Sequence, residues 1–272
     1  MTSPPEPDSG GPPMSVHRVL EHAVEGGLRE LERPARGLLL AGLSGGLDVA
    51  FGPMLMAVLL TLSAGSPELW RTILAANAYT VGFIFVVLGR SELFTEHTTL
   101  ASFPVLERRA SLRDLGRLWS LVYASNVAGA FASGALGAFI LTSLGVARAS
   151  AIDEMGYDVV AHPWWTILVS AVLAGWLMGL MSWMSRTTRQ MIGLMAVVWI
   201  VTLTIGLAKL HHCIAGTAEV AMAVVLPSGR VGFGDALHFL LWATLGNAIG
   251  GSVFVALVKF GHARIPSRRD AA

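Results

Sequence analysis

Apolar residues along this chain come in long runs, and the polar ones gather in short clusters between them. Six runs are each as long as the roughly twenty residues a helix needs to cross a hydrocarbon core. They lie at about 37–62, 70–107, 118–143, 163–184, 191–227 and 237–261. Ahead of them, Val16, Leu20, Val24, Leu28 and Leu31 recur at helical spacing among charged residues. That pattern predicts an amphipathic helix over residues 14–34, too charged to span a membrane. Residues 1–13 are polar, with no basic n-region and no apolar h-region, and read as a disordered tail. The organisation expected is therefore tail 1–13, amphipathic helix 14–34, six-helix transport domain 35–262 and basic tail 263–272.

Two of the six runs are interrupted. The second is broken by residues 89–97, which carry Arg90, Glu92 and Glu96, and the fifth by residues 208–217. Three spans per half would make the second half insert upside down relative to the first, and the broken span is the middle one of each half. The third spans also echo each other, as Asn126-Val-Ala-Gly129 and Asn247-Ala-Ile-Gly250. One break alone is as readily a kinked helix, but two in register point to an inverted 3+3 repeat around a central pathway. Non-helical backbone at membrane depth is tolerated only inside protein or along a water-filled cavity. Glycines in the first, third and sixth spans fit close helix packing.

Composition agrees with lipid as the solvent. Of 272 residues, 54% are hydrophobic and 14% charged, and the mean hydropathy is +0.63. A formal net charge of +1 gives no electrostatic footprint for nucleic acid. The one cysteine, Cys213, excludes an internal disulfide framework. Trp70, Trp164 and Trp165 begin apolar runs, as interfacial aromatics do. Arg18, Arg29, Arg33 and Arg36 precede the first span, and Arg108, Arg109, Arg113 and Arg117 follow the second. Arg186 and Arg189 follow the fourth, and Lys259, Arg264, Arg268 and Arg269 end the chain. The opposite loops hold Arg71, Arg148 and Arg230 against Glu68, Asp153, Glu154, Asp158 and Asp235. By the positive-inside rule both termini are cytoplasmic in a multi-pass plasma (inner) membrane protein.

Among the chemistry-bearing residues, His212 stands out, because an ionisable group beside broken backbone at membrane depth is costly and usually functional. The alternative is a core histidine donating to a backbone carbonyl. No GxSxG, HExxH, CxxC or phosphate-loop pattern points to an enzyme, and no cofactor is expected. His211, His212 and Cys213 are adjacent, and adjacent ligands seldom converge on one metal ion.

Five pieces in order, covering about residues 37–260, resemble the formate/nitrite transporters: Glu92-Leu93-Phe94-Thr95, Asn126-Val-Ala-Gly129, Trp183-Met-Ser185, His212-Cys-Ile-Ala215 and Gly246-Asn-Ala-Ile-Gly-Gly251. The resemblance implies an aquaporin-like all-α protomer, a homopentamer, and transport of small monovalent anions such as formate, nitrite or hydrosulfide. It places the central pore histidine at His212, where a ring proton is given to a weak-acid anion so that the solute crosses nearly neutral. Desolvating a bare anion costs far more than desolvating its acid, and histidine exchanges protons near neutrality. It also places a pore threonine at Thr95 and a hydrophobic constriction at Leu93 and Phe94. A threonine in a helix otherwise often bonds back to its own carbonyls. Asn126 and Asn247 join the pathway through their motifs, and Tyr79 and Phe83, one turn apart, are further wall candidates.

Departures from the family pattern concern charge. His211 stands where an acidic residue is common before the pore histidine, Gly216 stands where an asparagine is common after it, and residues 155–170 offer no vestibule lysine. Lys209 and Arg90, each beside a break, are the cations available to draw in an anion, unless they snorkel to an interface. Asp48, Arg90, Glu92 and Glu219 form a possible intramembrane charge network, with Glu219 pairing Lys209 or Arg90 and Asp48 lining a cavity or pairing a base. Glu96 and His97 are expected to cap the restarted half-helix. The sequence thus predicts a channel or transporter for weak-acid anions with proton exchange. The extra carboxylates keep a channel for a neutral or cationic solute as the alternative.

Overall fold

A computed structural model of the protein describes residues 14–188, 190–227 and 229–265, and every regular element among them is helical. The predicted tail 1–13, the end of the basic tail, and Arg189, Arg268 and Arg269 lie outside the described residues. The first helix, α1, runs Val16–Glu32, and the Ser15 hydroxyl accepts from the Arg18 N–H at its start. Val19, Leu20, Ala23 and Val24 of α1 are buried against Leu100, Phe103, Trp183, Val255 and Ala256. Val16, expected on that face, is exposed at the helix's first turn. At about 1.5–3 kcal/mol per buried Val or Leu side chain, this contact docks α1 on the bundle.

The first apolar run forms α2 (Ala35–Val49) and α3 (Phe51–Leu62), interrupted at Ala50. Pro53 lacks the N–H that would reach the Val49 carbonyl, which explains the interruption. The second run is α4 (Glu68–Gly89), α5 (Phe94–Leu100) and α6 (Ser102–Leu106), the last two divided ahead of Pro104. Next comes α7 (Leu112–Ser143), which begins earlier than expected because Ser111 and Asp114 form a reciprocal cap. The helix α8 (Ala149–Val160) was not anticipated; it packs Ile152 and Met155 under the loop ends. Beyond it lie α9 (Trp164–Met184), α10 (Met191–Leu207), α11 (Cys213–Val224) and α12 (Phe233–Ile249). α12 passes through π-helical turns at Gly250–Leu257 into α13 (Val258–Arg264).

Among the described residues, five stretches are long and apolar enough to cross a membrane: Ala35–Leu62, Glu68–Gly89, Leu112–Ser143, Trp164–Met184 and Phe233–Arg264. α10 and α11 are shorter apolar helices that follow each other across a break. Large apolar side chains such as Leu40, Leu136, Phe139, Ile192 and Leu237 stand on the outside, as lipid-facing residues do. Inside, α2 lies along α7 and α9 along α12. These pairs meet backbone to backbone: a Cβ on Gly46 would strike the Asn126 carbonyl, and one on Gly175 would strike the Asn247 carbonyl.

Candidate functional site: two helix breaks and the cavity between them

Both interruptions start the same way. α4 ends with Arg90 at φ 57°, while the Ser91 N–H donates to Val86 O and the Arg90 N–H to Val87 O. α10 ends with Lys209 at φ 49°, while the Leu210 N–H donates to Ile205 O and the Lys209 N–H to Gly206 O. Each is a left-handed helix stop that satisfies the last carbonyls. Three residues later a new helix begins, capped at Leu93 in one case and at His212 in the other.

One buried asparagine holds each break. Asn126 Oδ1 accepts from the Phe94 N–H at 2.8 Å, and its Nδ2 donates to Gly42 O at 2.7 Å and Glu92 O at 2.8 Å. Asn247 Oδ1 accepts from the Cys213 N–H at 2.8 Å, and its Nδ2 donates to Ala171 O at 2.8 Å and His211 O at 3.0 Å. Backbone groups freed by the breaks have no water to turn to, so the carboxamides take them. The asparagines therefore build the breaks from behind.

The two breaks meet where His212 Nε2 lies 3.0 Å from Thr95 Oγ1, with both residues buried. His212 Nδ1 accepts from the Ala215 N–H at 3.1 Å, so the ring caps α11 with a lone pair. That bond fixes the tautomer: the ring proton is on Nε2, it points at Thr95, and the Thr95 hydroxyl hydrogen is left to donate elsewhere. The Phe83 ring stands edge-on to His212 at 5.1 Å, with Tyr79 tilted against its far side at 5.1 Å. Leu93 is fully buried, and Phe94 packs edge-on to Trp119 and Tyr123 of α7.

A cavity of about 120 Å³ leads from the end of the bundle remote from α1 down to His212. Its mouth carries Glu68, Arg71, Glu154, Asp158 and Lys209, and its floor carries Tyr79, His212 and Glu219. Lys209 Nζ pairs with Asp158 at 3.0 Å, while Arg71 reaches Glu68 at 3.4 Å and Glu154 at 3.6 Å. His211 is tied back: Nε2 donates to Val159 O at 3.1 Å, and Nδ1 lies 2.9 Å from the Ser170 hydroxyl.

The four residues of the expected charge network do not meet. Asp48 accepts from the Ser44 and Ser91 hydroxyls at 3.1 and 2.7 Å. Glu92 is held by Arg33 at 2.9 Å and by His97 at 2.7 Å, on the α1 side of the first break. Arg90 is exposed at the end of α4. Glu219 pairs with neither Lys209, whose ammonium is taken by Asp158, nor Arg90. His97 binds Glu92, and among the described residues neither it nor Glu96 caps α5; the acceptor at the start of that helix is Asn126 Oδ1, which takes the Phe94 N–H. Arg33, between α1 and α2, also binds Glu30 at 2.6 Å, and its two carboxylates push its guanidinium further above the ordinary arginine range. The mouth carboxylates on α8 were read in the sequence only as loop charge. The signal that would have placed them is the helical spacing of Ile152, Met155 and Val159.

The Escherichia coli (strain K12) inner membrane protein YfdC is 28% identical over 259 residues, covering 93% of this chain and 78% of its own length. Among solved structures, an FNT family ion channel aligns with TM-score 0.78 at 20% identity, covering 92% of this chain and 98% of its own. A pentameric formate channel with formate bound aligns with TM-score 0.72 at 22% identity, covering 84% and 97% respectively. The sequence model of the formate/nitrite transporter family matches residues 17–261, and the chain belongs to that family.

Proposed function

We propose that this channel passes small monovalent weak-acid anions of the formate, nitrite or hydrosulfide type, each accompanied by a proton, past His212 and Thr95. The observation that carries the reading is the 3.0 Å contact between these side chains, which joins the two breaks below the cavity floor. Around it the walls are apolar, so a bare anion pays heavily to pass and its acid does not. The Nε2–H of neutral His212 orients Thr95, and the Thr95 hydroxyl offers a hydrogen bond to the solute. Full transfer of a ring proton requires the imidazolium, and forming it gives up the Ala215 cap. The proton thus travels with the solute more readily than it is lent by the ring.

The matched asparagines and left-handed stops support an inverted repeat, with residues 35–262 as the transport domain and the α1 segment 14–34 on its cytoplasmic face. The arginines near that face support cytoplasmic termini. The pentameric formate channel supports a homopentamer with one pathway per protomer. The test is flux of formate, nitrite, hydrosulfide and acetate into proteoliposomes. His212→Ala should abolish selective flux of at least one anion, and equal flux in wild type and variant for all four sinks the proposal.

A second reading is favoured by one observation. The cavity carries Glu68, Glu154, Asp158 and Glu219 against Arg71 and Lys209, a balance that suits a neutral or cationic solute. Reversal potentials under salt gradients separate the two if conduction is electrogenic.

A further inference from the structure

Glu219 is 7% exposed and Tyr79 4%, and both line the floor of the cavity beside His212. Among the described residues, neither side chain has a hydrogen-bond or ion-pair partner, and their polar atoms open onto the cavity that His212 also lines. The groups that face Glu219 do not neutralise it. From α4 come Glu68, Arg71 and Tyr79, from α8 Glu154 and Asp158, and from the second break Lys209, His211 and His212. The two cations among these are already paired with mouth carboxylates. His162 stands edge-on to His211, with ring centroids 5.4 Å apart. Met56 and Leu60 face in from α3, while α7 and α12 present Gly134 and Phe239 to α11.

We propose that the Glu219 carboxyl and the Tyr79 hydroxyl form a solute-binding station one step before His212, where Glu219 and a small weak-acid anion share a single proton. This rests on the anion reading above and identifies where the accompanying proton is held. Two like charges in so small an apolar space cannot both stay ionised, so one proton must sit between carboxylate and anion. The Glu219–H–anion unit then carries one negative charge in all. Transferring the proton to the anion yields the neutral acid and leaves the carboxylate, which recovers a proton from water in the cavity. No oxidant, metal or further reactant takes part. Tyr79 donates to whichever oxygen of the pair is free.

The station makes anion binding proton-linked, because the occupied site holds one more proton than the separated partners do at alkaline pH. The test is the half-saturation concentration for formate uptake by proteoliposomes, with equal pH on both sides, from about pH 6 to pH 10. In the wild type it should rise with pH, approaching about tenfold per unit at the alkaline end, as one linked proton requires. Glu219→Gln brings its own N–H donors and should hold the value within about twofold over that range, while Glu219→Asp keeps the slope. Tyr79→Phe should weaken uptake by about tenfold without changing the slope. A Glu219→Gln channel that keeps the wild-type slope overturns the station, as does a wild type without slope. Uptake of methylammonium that Glu219→Gln abolishes also overturns it, by showing that the carboxylate holds a cation. Flux that persists in His212→Ala instead refutes the pore reading alone, so the two failures are distinguishable.

Discussion

At the first break, Asn126 satisfies the backbone and the acid beside it, Glu92, is gripped by Arg33 and His97. At the second, Asn247 satisfies the backbone by the same three kinds of bond, and the matching residue, His211, is tied to Ser170 and Val159. What differs is the content of the space in front. Leu93 fills the capping position of the first restarted helix, and His212 fills that of the second, with Glu219 about two turns further along and unpaired. The comparison separates two demands. Satisfying broken backbone away from water dictates the symmetric part, while the solute dictates the asymmetric part.

Removing the symmetric part should have the largest effect. Asn126→Ala orphans the Phe94 N–H and the Glu92 carbonyl, and Asn247→Ala orphans the Cys213 N–H and the His211 carbonyl, while the Gly42 and Ala171 carbonyls keep their helical partners. At about 1–3 kcal/mol per orphan, each variant should lose roughly 2 kcal/mol or more of stability. Thermal unfolding of the detergent-solubilised protein measures it. Similar losses in both variants uphold the equivalence of the breaks, and a large loss in only one breaks it.

The next effect is steric and belongs to the second break alone. Gly216, where the family commonly carries asparagine, sits under the Phe239 ring, which occupies the space a Cβ would need. Gly216→Asn should therefore cost about 1–3 kcal/mol by overpacking. Pairing it with Phe239→Ala should recover part of the loss, read by the same melting experiment. Here an aromatic ring fills the space beside Gly216, and that contact is visible only in the structure. Other parts were legible in sequence. The apolar runs located the long helices, and the polar residues inside two of them located the breaks, because lipid leaves no other place for such groups. Thr95 and His212 were named from matching motifs, and the fold brings them together. Partnerships were not legible: a run of letters does not say that Asp158 takes Lys209 from Glu219, or that Arg33 reaches across to Glu92. The helix α8 escaped because its apolar stripe is short and lies in a loop rich in charge.

A smaller difference concerns the residue after each cap but one. Thr95 holds that place in the first break and Ile214 holds it in the second. Thr95→Val makes the two breaks equally apolar there while conserving volume. It removes the hydroxyl that His212 addresses, a loss of about 1.4 kcal/mol and hence about tenfold in anion flux. Thr95→Ser should retain most of the rate. Flux unchanged in Thr95→Val would mean that the threonine only packs, and the two breaks would then differ functionally through His212 alone.

The smallest effect lies at the left-handed stops. Arg90 and Lys209 hold a conformation that costs an L-residue about 1–2 kcal/mol and glycine almost nothing. Part of any gain from glycine is returned through the freer unfolded chain. Arg90 has no ion pair among the described residues, so Arg90→Gly should raise stability by about 0.5 kcal/mol. Lys209→Gly enjoys the same relief but loses the exposed pair with Asp158, itself worth about 0–1 kcal/mol, so its net change should be near zero. Melting temperatures of the two variants at low and high salt resolve the terms, because salt weakens the pair and leaves the backbone term unchanged. If both variants shift equally at low salt, the Lys209–Asp158 contact contributes nothing to stability. Its role at the cavity mouth is then electrostatic, keeping the Lys209 ammonium away from Glu219.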